Sequence, residues 1–179
     1  MEISLCEPNL LALDALRADT LVSVVFADER PLRGASALAD WRLCGLISKA
    51  LMRGWFRGSF GEALLISPQG RLPMQRVLLL GAGLLEDFDA ERMRSLTEKI
   101  GAKLKALVSR VSAWVLTGRH WCLLSAEDAA SAFFATVKPW LDQEEVVLIE
   151  ELHQHRHLLP FLEKERRKIR APGKGLAAC

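Results

Sequence analysis

A run of four large aliphatic residues, Val77 to Leu80, constrains the fold of this chain more than any other feature. A strand that is apolar at every position must be covered on both faces, so this one belongs inside a sheet with helices above and below it. Val146 to Ile149 is a second run of the same kind. The chain is therefore predicted to be an α/β protein with three layers, α/β/α, around a central sheet.

Other strands are predicted from short β-branched or alternating segments. Glu2 to Cys6 alternates polar and apolar residues, as an edge strand does, whereas Leu21 to Phe26 is nearly all apolar and is predicted to be more central. Ala113 to Leu116 is a further short strand. Ala63 to Ile66 is joined to the Val77 run by a short loop, so these two strands are expected to pair antiparallel. The sheet is therefore predicted to be mixed and mostly parallel.

Residues 35–52 are predicted to form one amphipathic helix, because apolar residues recur there every three or four positions. Its buried stripe comprises Leu38, Trp41, Cys44, Ile47 and Leu51. Gly45 lies inside this helix, where glycine costs roughly 1 kcal/mol relative to alanine, and a close packing contact is the expected reason. Gly54 follows the last periodic residue, where a left-handed cap is expected.

The second half of the chain contains three more predicted helices. One follows Asp87 and Asp89, either of which fits an N-cap, and its core face comprises Met93, Leu96, Ile100, Leu104 and Leu107. Another begins at Ser125, with Asp128 as a capping-box partner, and buries Ala130, Phe133, Phe134 and Val137 before Pro139. Residues 1–152 are predicted to form the α/β domain, residues 153–170 a C-terminal helix and residues 171–179 a flexible tail.

The composition narrows the possible functions. The 179 residues include 24 basic and 22 acidic side chains, so no general field attracts nucleic acid or an anionic membrane. No apolar run reaches the roughly 20 residues of a membrane helix, and the N-terminus lacks a signal-peptide pattern. The chain has four cysteines, which are Cys6, Cys44, Cys122 and Cys179. Three of these four lie in apolar runs and are predicted to be buried free thiols. We therefore expect a reducing, cytoplasmic location.

An ordered set of motifs resembles a known family. The set comprises Leu21 to Phe26, Asp40, Gly45 to Leu51, Gly54, Gly58, Gly61-Glu62 and Arg76 to Gly81. In this order the motifs resemble the N-terminal domain of the leucyl aminopeptidases of the M17 metallopeptidase family. The resemblance implies a macro-domain-like fold, similar to the domains that bind ADP-ribose.

The resemblance also implies an absence. In that family the two metal ions and the catalytic lysine and arginine lie in a separate C-terminal domain, around an Asn-Thr-Asp-Ala-Glu-Gly-Arg segment that has no counterpart in this sequence. The resemblance to the family therefore assigns no catalytic residue, metal ligand or cofactor to this sequence. The implied function is a stand-alone, non-catalytic module for interaction, oligomerisation or regulation, with a protein partner or a second copy. The alternatives are a macro-like binder of a nucleotide or ADP-ribose, and a fragment or subunit of a complete peptidase.

Gly81, Ala82 and Gly83 are the candidate ligand-binding residues. A glycine turn after a buried strand can cradle a phosphate at the start of the next helix. The residues that follow include Glu86, Asp87, Asp89 and Glu91. Their repulsion of a phosphate is comparable to the helix-dipole benefit of about 0.3–1 kcal/mol, so a tight turn without a ligand is the favoured alternative.

Trp55, Phe56 and Phe60 lie in a glycine-rich loop and are the candidate interaction surface, with core packing as the alternative.

Three other groups have ordinary explanations. His153, His155 and His157 would converge on a metal ion in an extended segment, but they fan apart in a helix. The basic residues near the C-terminus alternate with acidic ones and have no aromatic platform, which favours a solvated helix face over a nucleic-acid site. They are Lys164, Arg166, Arg167, Lys168, Arg170 and Lys174. Cys122 and His120 lack a third, orienting group for catalysis.

Overall fold

The computed structural model describes residues 2–117, 123–136 and 143–170. Within these ranges the strands are β1 (Glu2–Cys6), β2 (Thr20–Val25), β3 (Ala63–Ile66), β4 (Arg76–Gly81), β5 (Val111–Val115) and β6 (Glu145–Ile149). The helices are α1 (Leu10–Ala15), α2 (Gly34–Arg42), α3 (Leu46–Met52), α4 (Ala90–Ala106), α5 (Ala126–Thr136) and α6 (Leu152–Arg170).

The strands form one mixed sheet in the order β1-β6-β5-β2-β4-β3. The pairs β1–β6, β5–β6, β2–β5 and β2–β4 are parallel, and β3 runs antiparallel to β4. The fully apolar strands β4 and β6 therefore lie inside the sheet, and β1 lies at an edge. These positions confirm the predicted α/β class with its mixed, mostly parallel sheet.

Helices cover both faces of the sheet, which explains why β4 is apolar throughout. Successive side chains of a strand point to opposite faces. Leu78 and Leu80 pack in a core with residues of α4, α5 and α6, whereas Val77 and Leu79 pack in a second core with residues of α1, α2 and α3. The predicted three-layer α/β/α arrangement is confirmed.

The single helix predicted over residues 35–52 is wrong, because the structure has two helices there. Gly45 adopts a left-handed conformation with φ +76° between them, and a Cβ added to it would meet no atom within 4 Å. The Asp40 carboxylate accepts hydrogen bonds from the backbone N–H groups of Ile47 (2.8 Å) and Ser48 (3.1 Å) and so caps α3. The glycine is therefore required by the turn and not by a close packing contact.

Breaking the helix also changes which side chains are buried. Trp41, predicted to be part of the buried stripe, is 64% exposed. Cys44 is exposed and Cys6 is half-buried, so the prediction of buried thiols is wrong for these two. The predictions for Cys122, His120, Val137, Pro139 and the tail from residue 171 lie outside the described residues.

Several local predictions are confirmed. Gly54 has a φ of +69° after α3, and the Asp89 side chain accepts a hydrogen bond from the Arg92 N–H (2.8 Å) at the start of α4. The Ser125 hydroxyl accepts from the Asp128 N–H (3.0 Å) ahead of α5.

No helix in the described part of the chain combines the length and apolar character needed to span a bilayer.

Candidate functional site

The carboxyl ends of β2, β5 and β6 surround a narrow cleft, and this is where open α/β sheets place their ligands. Its lining includes Phe26, Glu29, Arg33, Ser36, Thr117 and Glu150. The cleft has a volume of about 60 Å³, which is room for roughly five water molecules. Pockets for larger small molecules have volumes of about 300–1,000 Å³, so a nucleotide does not fit this conformation.

Two carboxylates dominate the charge of this cleft. Glu29 is 5% exposed and Glu150 is 7% exposed, and the exposed Glu151 lies beside them. Arg33, which precedes α2, brings one positive charge. Charges interact more strongly away from bulk water, so these carboxylates would repel a diphosphate. The cleft is therefore poorly suited to ADP-ribose in both size and charge.

The segment Gly81-Ala82-Gly83 is fully buried, and its backbone N–H groups are engaged within the protein. Gly81 donates to the Glu62 carbonyl (2.8 Å), Ala82 to the Val25 carbonyl (3.0 Å) and Gly83 to the Gly58 carbonyl (2.9 Å). The next helix, α4, begins only at Ala90 and is capped by Asp89. The donors that a phosphate would need are already used, which favours the tight turn over the phosphate cradle.

The loop of residues 57–62, which we call the glycine loop, docks onto the end of β4. A Cβ at Gly81 would overlap the Ser59 carbonyl oxygen, and a Cβ at Gly58 would lie 3.0 Å from the Ala27 backbone. The Glu62 carboxylate holds the loop in shape by accepting from the N–H groups of Arg57 (2.9 Å) and Ser59 (3.1 Å). These contacts show that the motif residues build the fold.

The three aromatic residues predicted as a surface have different environments. Trp55 is 62% exposed, but Phe56 is 0% exposed and lies in the core beneath α3. The prediction of an exposed Phe56 is therefore wrong. Phe60 is half-buried, and the Arg92 guanidinium lies 5.3 Å from the centre of its ring. Of the predicted trio, Trp55 alone presents most of its side chain to solvent.

Other exposed aromatic, apolar and basic side chains lie within 15 residues of Trp55 in the sequence, and the sequence reasoning did not combine them. Trp41 lies in the last turn of α2, and Met52, which is 77% exposed, ends α3. The Arg42 guanidinium lies 5.0 Å from the Trp41 ring centre, and that of Arg53 lies 4.9 Å from the Trp55 ring centre. We call this patch the basic aromatic surface and define it as Trp41, Arg42, Lys49, Met52, Arg53 and Trp55.

A charge pattern in the sequence could have revealed this surface. Residues 41–61 contain four basic residues, Arg42, Lys49, Arg53 and Arg57, and no acidic residue. The whole chain has nearly equal numbers of both signs, 24 basic and 22 acidic. The local imbalance was hidden because the net charge of +2 describes the chain as a whole.

The remaining candidates behave as ordinary surface groups. His153, His155 and His157 lie on α6, and His155 Nε2 is 2.7 Å from the Glu150 carbonyl oxygen. Across the described ranges, no three histidine, cysteine or acidic side chains are grouped to hold a metal ion. In the basic segment, Arg167 is exposed and lies 4.0 Å from Glu163, as on a solvated helix face.

Comparisons with known proteins agree with this geometry. Residues 22–137 match the family described as the cytosol aminopeptidase family, N-terminal domain. The matched region is thus that N-terminal domain and not the catalytic one. A probable cytosol aminopeptidase of Alkaliphilus metalliredigens is 30% identical over 129 residues, which are 72% of this chain and 25% of that relative. The chain therefore spans about a quarter of that relative's length.

Solved structures show the same fold. A mutant tomato leucine aminopeptidase matches with a TM-score of 0.60 and 17% identity, over 91% of this chain and 35% of that one. A Trypanosoma brucei macrodomain in complex with ADP matches with a TM-score of 0.70 and 14% identity, over 91% of this chain and 68% of that one. The predicted macro-domain-like architecture is confirmed.

Proposed function

The chain belongs to the cytosol aminopeptidase family, whose N-terminal domain it matches, and from this premise we propose that it is a non-catalytic interaction module. The observation that carries the proposal is the basic aromatic surface. The non-catalytic part is supported by the match itself, because residues 22–137 match the N-terminal domain of the family and not its catalytic domain.

The exposure of Trp41, Met52 and Trp55 is costly, which is why we assign them a role. Burying a large apolar side chain contributes about 1.5–3 kcal/mol, and here three such side chains are exposed: one in the last turn of α2, one at the end of α3 and one three residues after α3. Tryptophan and arginine are enriched among the residues that dominate binding energy at interfaces. A protein partner that covers this surface recovers the apolar burial that folding alone does not achieve.

Catalysis is tested directly with the purified protein. We expect no release of p-nitroaniline from leucine p-nitroanilide in the presence of Mn²⁺ or Zn²⁺, with a full-length cytosol aminopeptidase as positive control. Release that depends on the metal and copurifies with the protein through two columns would refute the non-catalytic assignment.

Interaction is tested by photocrosslinking in cells. A photoreactive phenylalanine at position 41 or 55 is expected to yield a discrete polypeptide adduct. The matched controls are positions 11 and 108, where Leu11 and Val108 are also exposed apolar residues but lie outside the basic aromatic surface. Equal adducts at all four positions, or none at 41 and 55, would contradict the proposed role.

The macrodomain fold also suggests nucleotide binding, but the cleft supports this alternative less well. Its volume of about 60 Å³ and its carboxylates Glu29 and Glu150 oppose a diphosphate. We expect no change in the melting temperature with millimolar ADP-ribose. A concentration-dependent rise that is lost when Gly34, at the cleft edge, is replaced by a bulky residue would instead favour the nucleotide.

A further inference from the structure

We propose that the basic aromatic surface binds an acidic peptide segment of a partner protein, with an apolar side chain between its carboxylates. This inference rests on the proposed interaction function and specifies the chemistry of the partner. Its basis is the charge and spacing of the groups that α3 and its flanking residues present to solvent.

The charge on this surface is positive and has little internal compensation. Arg42 is neutralised, because its guanidinium pairs with the Asp14 carboxylate through both Nε (2.9 Å) and Nη2. Lys49 on α3 and Arg53 directly after it are exposed. Lys49 donates to a backbone carbonyl, and Arg53 stacks on Trp55. Neither of these contacts neutralises its charge, so two carboxylates of a partner would find complementary groups here.

The nearest acidic side chains in the sequence are bonded to backbone N–H groups by their carboxylates. Glu62 follows the stretch without acidic residues, and its carboxylate is committed to the backbone N–H groups of Arg57 and Ser59. Asp40, on the other side, is buried and caps α3 through Ile47. These two carboxylates keep their negative charge but bond to other groups, and the Lys49 and Arg53 side chains remain exposed to solvent.

The spacing fits a short extended peptide. The seven residues of α3 span about 10 Å, and an extended chain rises about 3.3 Å per residue. Three or four peptide residues thus cover the length of α3, which carries Lys49 and Met52 and is followed by Arg53. Met52 offers an adaptable apolar contact near one end, and the two indoles supply rigid aromatic walls. A peptide with an acidic, an apolar and an acidic residue matches the order of Lys49, Met52 and Arg53 along the chain.

Single-stranded nucleic acid fits the surface less well. Its binding uses aromatic faces open for base stacking and many cationic contacts along the backbone. Here a guanidinium already covers one face of each indole, and one of the cations is paired with Asp14. The surface therefore favours a few carboxylates over a run of phosphates.

The test uses the full chain labelled with ¹⁵N and two capped pentapeptides, Asp-Glu-Leu-Glu-Asp and Lys-Lys-Leu-Lys-Lys. The indole N–H signals of Trp41 and Trp55 are assigned from the single variants Trp41→Phe and Trp55→Phe. We expect the acidic peptide to shift both signals saturably, to leave the signal of the buried Trp114 in place, and to lose at least tenfold in affinity between 50 and 500 mM NaCl. The lysine peptide is expected to shift neither.

Charge-reversal variants provide the matched control. Lys49→Glu together with Arg53→Glu should weaken binding of the acidic peptide at least tenfold, whereas Lys164→Glu together with Arg167→Glu on the exposed side of α6 should not change it. Well-dispersed spectra show that each variant is folded.

Four results would overturn the inference. They are equal shifts with the lysine peptide, tighter binding of a ten-residue oligothymidylate, signals that move with protein concentration alone because a second copy binds, and equal losses in both charge-reversal pairs. If photocrosslinking at positions 41 and 55 still yields a discrete adduct in any of these cases, the interaction function stands and only the acidic chemistry falls.

Discussion

Replacing Gly81 by alanine tests the conclusion that the family motifs of this chain build its fold. Gly81 ends β4 beneath the glycine loop, where a Cβ would overlap the Ser59 carbonyl oxygen and lie 2.5 Å from the Gly58 carbonyl carbon. Non-bonded carbon atoms prefer a separation of about 3.5 Å. The loop would therefore have to withdraw by roughly 1 Å in Gly81→Ala.

That movement breaks the hydrogen bonds that dock the loop. Three of them join residues 58, 61 and 62 to Gly81 and Gly83, with lengths of 2.8–2.9 Å. At about 1 kcal/mol each, their loss predicts a decrease of about 3 kcal/mol in the free energy of unfolding. The measurement is urea denaturation followed by tryptophan fluorescence and circular dichroism.

Gly45→Ala is the matched control, because Gly45 has a left-handed φ of +76° but an open Cβ position. Its cost comes from backbone strain alone and is expected to be about 1–2 kcal/mol. If Gly81→Ala costs no more than Gly45→Ala, the glycine loop is not held as we describe, and the absence of a side chain at Gly81 would need another explanation such as a ligand.

Three further perturbations probe the core, the capping of α3 and the acid stability. Phe56→Ala should lower the free energy of unfolding by about 3–5 kcal/mol because it empties a buried site, whereas Trp55→Ala next to it should change it by less than about 0.5 kcal/mol. A larger loss for Trp55→Ala than for Phe56→Ala in urea denaturation would contradict the assigned burial. Asp40→Ala should cost about 1–2 kcal/mol through loss of the α3 cap, and an unchanged unfolding midpoint would be inconsistent with the capping geometry. Burial raises the pKa of the Asp19 carboxyl, but hydrogen bonds from Ser109, Thr20, Val111 and Arg110 outweigh it and leave the pKa lowered. Because the folded pKa is below the unfolded one, this carboxylate stabilises the protein above about pH 4, and the contribution is lost as the pH falls further. In Asp19→Asn the free energy of unfolding should therefore depend less on pH below about pH 4. An unchanged pH dependence in that range would refute the stabilising role of Asp19.

The motifs that carry the family resemblance have structural explanations in this chain. Asp40 caps α3, Gly45 allows the turn before it, and Glu62 shapes the glycine loop. Gly81 permits that loop to approach β4. A shared motif therefore marks a shared architecture here, and the functional proposal rests on exposed residues outside the caps and glycine turns.

Local signals in the sequence were sufficient for the layers of the fold. The uninterrupted apolar runs in β4 and β6 required cover on both faces, and the alternating β1 indicated an edge. Asp89 and Ser125 marked the starts of α4 and α5 because a cap depends on residues within one helical turn. In each case the deciding interactions are short-range or common to every buried strand.

Tertiary structure decided which side chains remain open to solvent. Trp55 and Phe56 are adjacent and both aromatic, yet one is exposed and the other lies in the core, because only the packing of α3 on the sheet sets the direction of each side chain. Periodicity likewise placed Trp41 on the buried stripe of one long helix, but the helix breaks at Gly45 and Trp41 is exposed. The sequence alone thus determined the α/β/α architecture and the family. The basic aromatic surface was decided by the tertiary structure, because it depends on which side chains of α2, of α3 and of the residues after α3 remain exposed.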